Sequence, residues 1–66
     1  MEYKIYIITN KVNNKAYIGI TSMTIQQRFN GHKRKARFNP TTNLHQSIRK
    51  HGEENFSIVD LYSFLQ

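Results

Sequence analysis

The hydrophobic positions near the N-terminus are arranged as two β-strands joined by a short turn. Residues 3–9 and 16–21 are rich in β-branched and aromatic side chains, which favour strands. Between them, Asn13 and Asn14 tolerate the left-handed backbone angles of a tight turn. The pattern therefore predicts a β-hairpin with Asn13-Asn14 as its two-residue turn.

The alternation of side chains along this hairpin predicts which residues share a face. With a turn at Asn13-Asn14, the numbers of two facing residues sum to an odd value. The face expected to form the core then carries the aliphatic residues Ile5, Ile7, Ala16, Ile18 and Ile20. The opposite face carries Tyr6, Ile8, Tyr17 and Gly19. The two tyrosines are therefore predicted to lie on one face of the sheet.

Two helices are predicted after the hairpin. Thr24 followed by Gln27 forms a capping box, and the helix it opens runs from Ile25 to about Arg37. Its apolar stripe consists of Ile25, Phe29 and Ala36. After the break at Asn39-Pro40, a second helix begins with Thr42 or Asn43 as its cap, buries Leu44 and Ile48, and ends at Gly52.

The last segment predicts a third strand, since side chains alternate from Asn55 to Leu61. The element order is ββααβ. We therefore expect an α/β (α+β) sandwich with a small three-stranded, mostly antiparallel sheet and two helices.

Composition adds a bound on size and a preferred partner. At 66 residues without cysteine, the chain has room for one small domain and holds no disulfide or thiolate metal site. It has no signal-peptide shape and no membrane-spanning run, so we expect a cytoplasmic protein of a bacterial or phage-infected cell. Ten Lys and Arg against four acids give a formal charge of +6, which favours a nucleic acid as partner. The cations crowd into one stretch: Arg28, Lys33, Arg34, Lys35 and Arg37.

The first helix presents candidate chemical groups beside the basic stretch. Arg28 and His32, at i and i+4, are neighbours on the rim of the apolar stripe. An arginine fork binds two phosphate oxygens together, and a histidine carries protons near neutral pH. The alternative for His32 is a hydrogen-bonded structural residue. His45 and His51 are six positions apart and do not share a helix face, which argues against a zinc site.

These residues resemble the GIY-YIG nuclease family over nearly the whole chain. Lys4-Ile5-Tyr6 stands where the family has Gly-Ile-Tyr, and Tyr17-Ile18-Gly19 reproduces the second motif in full. Arg28 and His32 follow at the family's spacing. Residues 44–52 are similar to the phage and intron-homing members.

The resemblance implies a metal-dependent DNA endonuclease that hydrolyses phosphodiester bonds with one Mg or Mn ion. It implies that Tyr6, Tyr17, Arg28 and His32 are catalytic. One tyrosine would help to activate water, and Arg28 would stabilise charge on the phosphate. Gly19 would let the DNA backbone approach closely, or would only mark a bulge. The cations Lys33, Arg34, Lys35 and Arg37 are expected to contact the DNA backbone.

The family's metal-binding glutamate is the main departure. The family carries it on a helix beyond the third strand, which here would lie beyond Gln66, so the metal ligand is unknown. Glu53 and Glu54 are not at the matching position, and Asp60 is a conceivable substitute. We therefore expect residues 1–66 to be a GIY-YIG-type nuclease domain lacking its C-terminal helix, with a separate DNA-targeting domain in a longer chain.

Two alternatives remain open from the sequence. The first is a non-catalytic module that binds nucleic acid with the same fold. The second is a docking subunit for a full-length nuclease, which would expose the apolar residues Leu61, Tyr62, Phe64 and Leu65 near its C-terminus.

Overall fold

The three strands form one antiparallel sheet in which the first strand is central. The computed structural model describes all 66 residues. Its elements in chain order are β1 (Glu2–Asn10), β2 (Ala16–Thr21), α1 (Ile25–Phe38), α2 (Asn43–His51), a short 3₁₀ helix (Glu53–Asn55) and β3 (Phe56–Leu65). The strand order is β2-β1-β3, and both neighbours of β1 run antiparallel to it. The predicted ββααβ order and α+β class are confirmed.

The hairpin loop is longer than predicted. The backbone N–H of Asn10 donates to the carbonyl of Lys15 at 2.8 Å, so the loop comprises residues 11–14 instead of Asn13-Asn14 alone. Asn14 has a φ of 61°, the left-handed geometry that asparagine tolerates. Because the loop still has an even number of residues, the pairing parity is as predicted, with Tyr6 opposite Gly19 and Ile8 opposite Tyr17.

The predicted core face of the hairpin is wrong. The helices pack against the face of Tyr6 and Ile8, which are 4% and 0% exposed, whereas Ile18 and Ile20 are 71% and 57% exposed. Since β1 is apolar at every position from Ile5 to Ile8, its own alternation does not choose a face. The buried face is decided by the helices, whose apolar side chains pack against Tyr6 and Ile8.

Both helices begin at the predicted caps. The Thr24 hydroxyl accepts from the N–H of Gln27 at 3.1 Å, and the Gln27 side chain accepts from the N–H of Thr24 at 3.2 Å. Thr42 caps α2 by accepting from the N–H of His45 at 3.2 Å, and α2 ends at Gly52 with a φ of 94°. These caps set the helix phase, which decides the side chains that meet the sheet.

The core between the sheet and the helices is part apolar and part polar. Its apolar members are Tyr6, Ile8, Phe29, Ala36, Leu44, Ile48 and Phe56. Four of the eleven buried residues are polar: Asn10, Thr21, His32 and His45. Two of these are histidines on different helices, so the interior contains groups that must be hydrogen-bonded. Neither helix is long and apolar enough to cross a membrane.

The third strand extends beyond the predicted end at Leu61. It runs to Leu65 because it pairs with the whole of β1, from Asn10 opposite Phe56 to Glu2 opposite Leu65. The register shifts once, between Ile5 and Tyr6 of β1. Of the four C-terminal apolar residues, Phe64 is half-buried and the rest are exposed, namely Leu61, Tyr62 and Leu65.

Candidate active site

The hydroxyl of Tyr6 is the centre of a cluster contributed by β1 and α1. It shares a hydrogen bond with Nε2 of His32 at 3.0 Å and accepts from Nε of Arg28 at 3.4 Å. The strand aims Tyr6 at the helix, and the i,i+4 spacing places Arg28 and His32 on one side of α1. The structure thus brings together three of the four residues predicted to be catalytic.

A second histidine continues the cluster into α2. Nδ1 of His32 lies 3.1 Å from Nε2 of His45, and the two residues are 8% and 3% exposed. His45 is absent from the predicted site. Its position three residues before the buried Ile48 gives the signal that it faces inward. Its meeting with His32 depends on how two helices pack, which the sequence pattern does not give.

Both histidines are held in the neutral form. Burial is the largest of the causes that together lower the pKa of His32 to about 4, and the positive charges of Arg28, His45 and Lys35 are the others. Burial also lowers the pKa of His45, as do the charges of Lys35 and Arg28. At neutral pH the pair therefore shares one proton along its hydrogen bond and carries no charge.

Tyr17 lies beside this cluster with a different partner. Its hydroxyl is 3.0 Å from the Ser47 hydroxyl on α2. A cleft of about 330 Å³, which we call the tyrosine cleft, is lined by Tyr6, Tyr17, Ile18, His32, Thr42, Asn43 and Leu44. The two motif tyrosines therefore line one cleft, and the N-terminus of α2 borders it.

Gly19 leaves space for the side chain of Tyr6. A Cβ at residue 19 would overlap the hydroxyl and Cζ of the Tyr6 side chain. The absence of a side chain at residue 19 therefore makes room for the tyrosine ring. Cross-strand pairing with Tyr6 is the signal that predicts this role.

The basic residues of α1 divide between two sides of the helix. Lys35 is exposed, and its charge lowers the pKa of both buried histidines. The ammonium of Lys33 sits 4.3 Å from the centre of the Phe29 ring, and Arg37 Nη2 donates to Glu53 at 2.8 Å. Lys33, Arg34 and Arg37 line a separate cleft that shares no residue with the tyrosine cleft.

The residues of this chain do not form a metal centre by themselves. No group of three or more His, Cys, Asp or Glu side chains is placed to hold an ion. The two buried histidines bind each other, and Glu53 binds Arg37. Asp60, the conceivable substitute, lies opposite Tyr6 in the sheet but is exposed.

We predict that Gly19→Ala destabilises the protein and displaces the Tyr6 ring. Overpacking of this kind costs about 1–3 kcal/mol of unfolding free energy. Gly31→Ala is the matched control, because a Cβ there meets nothing within 4 Å and alanine favours a helix by about 0.4–1 kcal/mol. Urea unfolding of both variants checks this. Equal stability changes in the two variants would contradict the assigned role of Gly19.

We also predict that stability falls with pH below neutrality. The pKa of His32 is about 4 in the folded protein and near 6.5 when unfolded, so the unfolded chain binds the proton more readily. The contribution is present above pH 6.5 and is lost as pH falls toward 4, for a total of about 3 kcal/mol. Urea unfolding between pH 7 and 4.5 should show this slope, and His32→Gln should reduce it. A flat wild-type profile would refute the prediction.

Known proteins resemble this chain in sequence. A family model described as the GIY-YIG catalytic domain matches residues 2–64. Uncharacterized protein 019R of Invertebrate iridescent virus 6 is 46% identical over 57 residues, covering 86% of this chain and 20% of that protein. Protein 146R of the same virus, whose name assigns it an MSV199 domain, is 41% identical over 54 residues, covering 82% and 22%. No solved structure gives a significant match. The chain spans about a fifth of the length of these relatives, and it belongs to the GIY-YIG catalytic domain family of nucleases.

Proposed function

We propose that this chain is a DNA endonuclease module that hydrolyses phosphodiester bonds at the tyrosine cleft. The observation that carries the proposal is the convergence of Arg28 and His32 on the Tyr6 hydroxyl at that cleft. Phosphoryl transfer needs positioned charge and a group that takes a proton from water, and this cluster offers both.

Arg28 binds the scissile phosphate in this proposal. One of its N–H groups is used on Tyr6, and no carboxylate lies within 4 Å of its guanidinium. The remaining N–H donors are therefore available to two phosphate oxygens. As negative charge develops on those oxygens, the guanidinium stabilises it without having to move.

We assign to Tyr6 the role of taking a proton from the attacking water. The Tyr6 hydroxyl first gives its own proton to solvent through the tyrosine cleft. The resulting phenolate oxygen takes a proton from the water as the water oxygen bonds to phosphorus and the phosphorus bond to the leaving oxygen breaks. The leaving oxygen then takes a proton from solvent. The hydroxyl of Tyr17 is hydrogen-bonded to Ser47 and not to an imidazole, so we assign Tyr17 to substrate positioning.

Divalent-metal dependence is part of the proposal, with Mg or Mn as the ion. The side chains of this chain do not supply a set of ligands for it, so no step here is assigned to the metal. The ion would add Lewis-acid stabilisation of the phosphate when bound. Target choice rests with a separate DNA-binding domain, since lysine and arginine contacts to phosphates carry no base sequence.

A non-catalytic module that binds DNA is the second candidate. The observation that favours it is the missing set of metal ligands. Such a module would keep the cationic surface, and we expect it to bind DNA without cleaving it.

We predict that Arg28→Ala lowers the rate of plasmid nicking about 10²–10³-fold, because a preorganised donor to the phosphate is lost. Arg28→Lys should recover little, since an ammonium lacks the planar fork. Supercoiled plasmid with Mg or Mn is the substrate, and EDTA should abolish nicking. Arg49→Ala is the charge-matched control, because Arg49 is exposed on α2 and lies outside the tyrosine cleft.

The same assay separates the two candidates. Nicking that survives in Arg28→Ala would overturn the catalytic assignment. Absence of nicking by the wild-type protein, together with salt-sensitive DNA binding, would establish the binding module instead.

A further inference from the structure

A second cleft continues from the tyrosine cleft along α2. It has a volume of about 500 Å³ and is lined by Lys15, Ala16, Tyr17, Asn43, Gln46, Ser47 and Lys50. Tyr17 and Asn43 line both clefts, so the two surfaces adjoin. We call the second one the lysine cleft.

The lysine cleft carries positive charge and no acidic side chain. The only ion pairs in the protein are Lys4–Glu2 and Arg37–Glu53, so both lysines of the cleft are unpaired as well as exposed. The N-terminus of α2 lies at the boundary with the tyrosine cleft, and its first turn contains no acid. Unsatisfied helix N–H groups there favour an anion as well.

Two basic residues of α1, Lys33 and Arg37, are less suited to the same strand. Lys33 is stacked on Phe29 and Arg37 is paired with Glu53, and both line a cleft that does not adjoin Tyr6. A nucleic acid strand at the reacting centre therefore finds unpaired cations on the α2 side.

We propose that the lysine cleft binds the DNA strand adjacent to the cleaved phosphodiester, with Lys15 and Lys50 on its phosphates. Asn43 and Gln46 line the same cleft and offer hydrogen bonds to sugar or phosphate oxygens. This assignment rests on the proposed function, because it takes the scissile phosphate to lie at Arg28.

Salt dependence of binding tests the lysine cleft. The double variant Lys15→Ala/Lys50→Ala is compared with Lys11→Ala/Arg49→Ala, which removes two exposed cations outside both clefts. Binding to a fluorescent 20-base-pair DNA duplex is measured by anisotropy from 50 to 200 mM NaCl. We expect the slope of log affinity against log salt to fall by about 1.8 in the first variant, or 0.9 per phosphate contact. The slope of the control should change by less than half as much.

Equal slope changes in the two double variants would overturn the assignment, as would an unchanged slope in the first. The readout needs no cleavage. A wild-type protein that binds as expected but never nicks DNA would therefore remove the proposed catalysis and leave only the binding of DNA at the lysine cleft.

The histidine pair carries a second, independent inference. Nδ1 of His45 is buried without a hydrogen-bond partner, so the chain Tyr6–His32–His45 ends there. If Tyr6 donates to Nε2 of His32, then Nδ1–H of His32 donates to Nε2 of His45. The buried Nδ1–H of His45 is then left without an acceptor. If Nε2–H of His45 donates to Nδ1 of His32 instead, then Nε2–H of His32 donates to the Tyr6 oxygen. Only the lone pair on Nδ1 of His45 is then left without a partner. An orphaned buried N–H is the rarer and costlier of the two.

We infer that His45 is a positioning residue that keeps the proton of His32 on Nε2. The oxygen of Tyr6 then accepts from both His32 and Arg28, and its own proton points toward the tyrosine cleft. The tautomer of an imidazole is set by the hydrogen bond at its other nitrogen, which here comes from α2.

Nitrogen-15 NMR of the wild-type protein tests this directly at pH 7. We expect the His32 proton on Nε2, and a proton on Nδ1 would overturn the inference. His45→Leu should then give a mixture of His32 tautomers, while His45→Gln, which keeps a donor, should retain the Nε2 form. In the nicking assay, His45→Leu should lower kcat with little change in KM. A tautomer in His45→Leu identical to that of the wild type would show that another group fixes His32.

Discussion

The hydrogen-bond chain from Arg28 through Tyr6 and His32 to His45 is the constraint around which the domain is built. It joins the central strand to both helices, and most of it is buried between the sheet and the helices. A buried polar group that is left without a hydrogen bond costs free energy, so each element must present its side chain at the right place. The caps at Thr24 and Thr42, which set the helix phases, therefore serve the site as well as the fold.

This constraint explains where reasoning from the sequence succeeded and where it failed. Capping residues and hydrophobic periodicity gave the helices, because these signals are local. The buried face of the hairpin was predicted incorrectly, because Ile5 and Ile7 are as apolar as Ile8 and the deciding partners lie on distant helices. His45 was missed for the same reason. Its contact with His32 exists only once α1 and α2 have packed.

Charge shows a similar division between what is local and what is tertiary. The sequence places a dense run of cations on α1, yet folding pairs Arg37 with Glu53 and turns Lys33 toward Phe29. Lys15 and Lys50 are far apart in the sequence and line one cleft in the structure. A count of cations predicts an anionic partner, whereas the path of that partner depends on which cations folding leaves unpaired.

The polar chain is also a poor choice for stability alone. The core of this small domain is modest, and it includes two histidines whose pKa values burial has lowered. Replacing both partners of a buried hydrogen bond with apolar groups of similar shape is often neutral or stabilising. Such a replacement would cost a domain of this size little or would stabilise it, yet the tyrosine and both histidines are there. The cluster is therefore better explained by the orientation it imposes on the Tyr6 oxygen than by any contribution to folding, because orientation is what an apolar core does not supply.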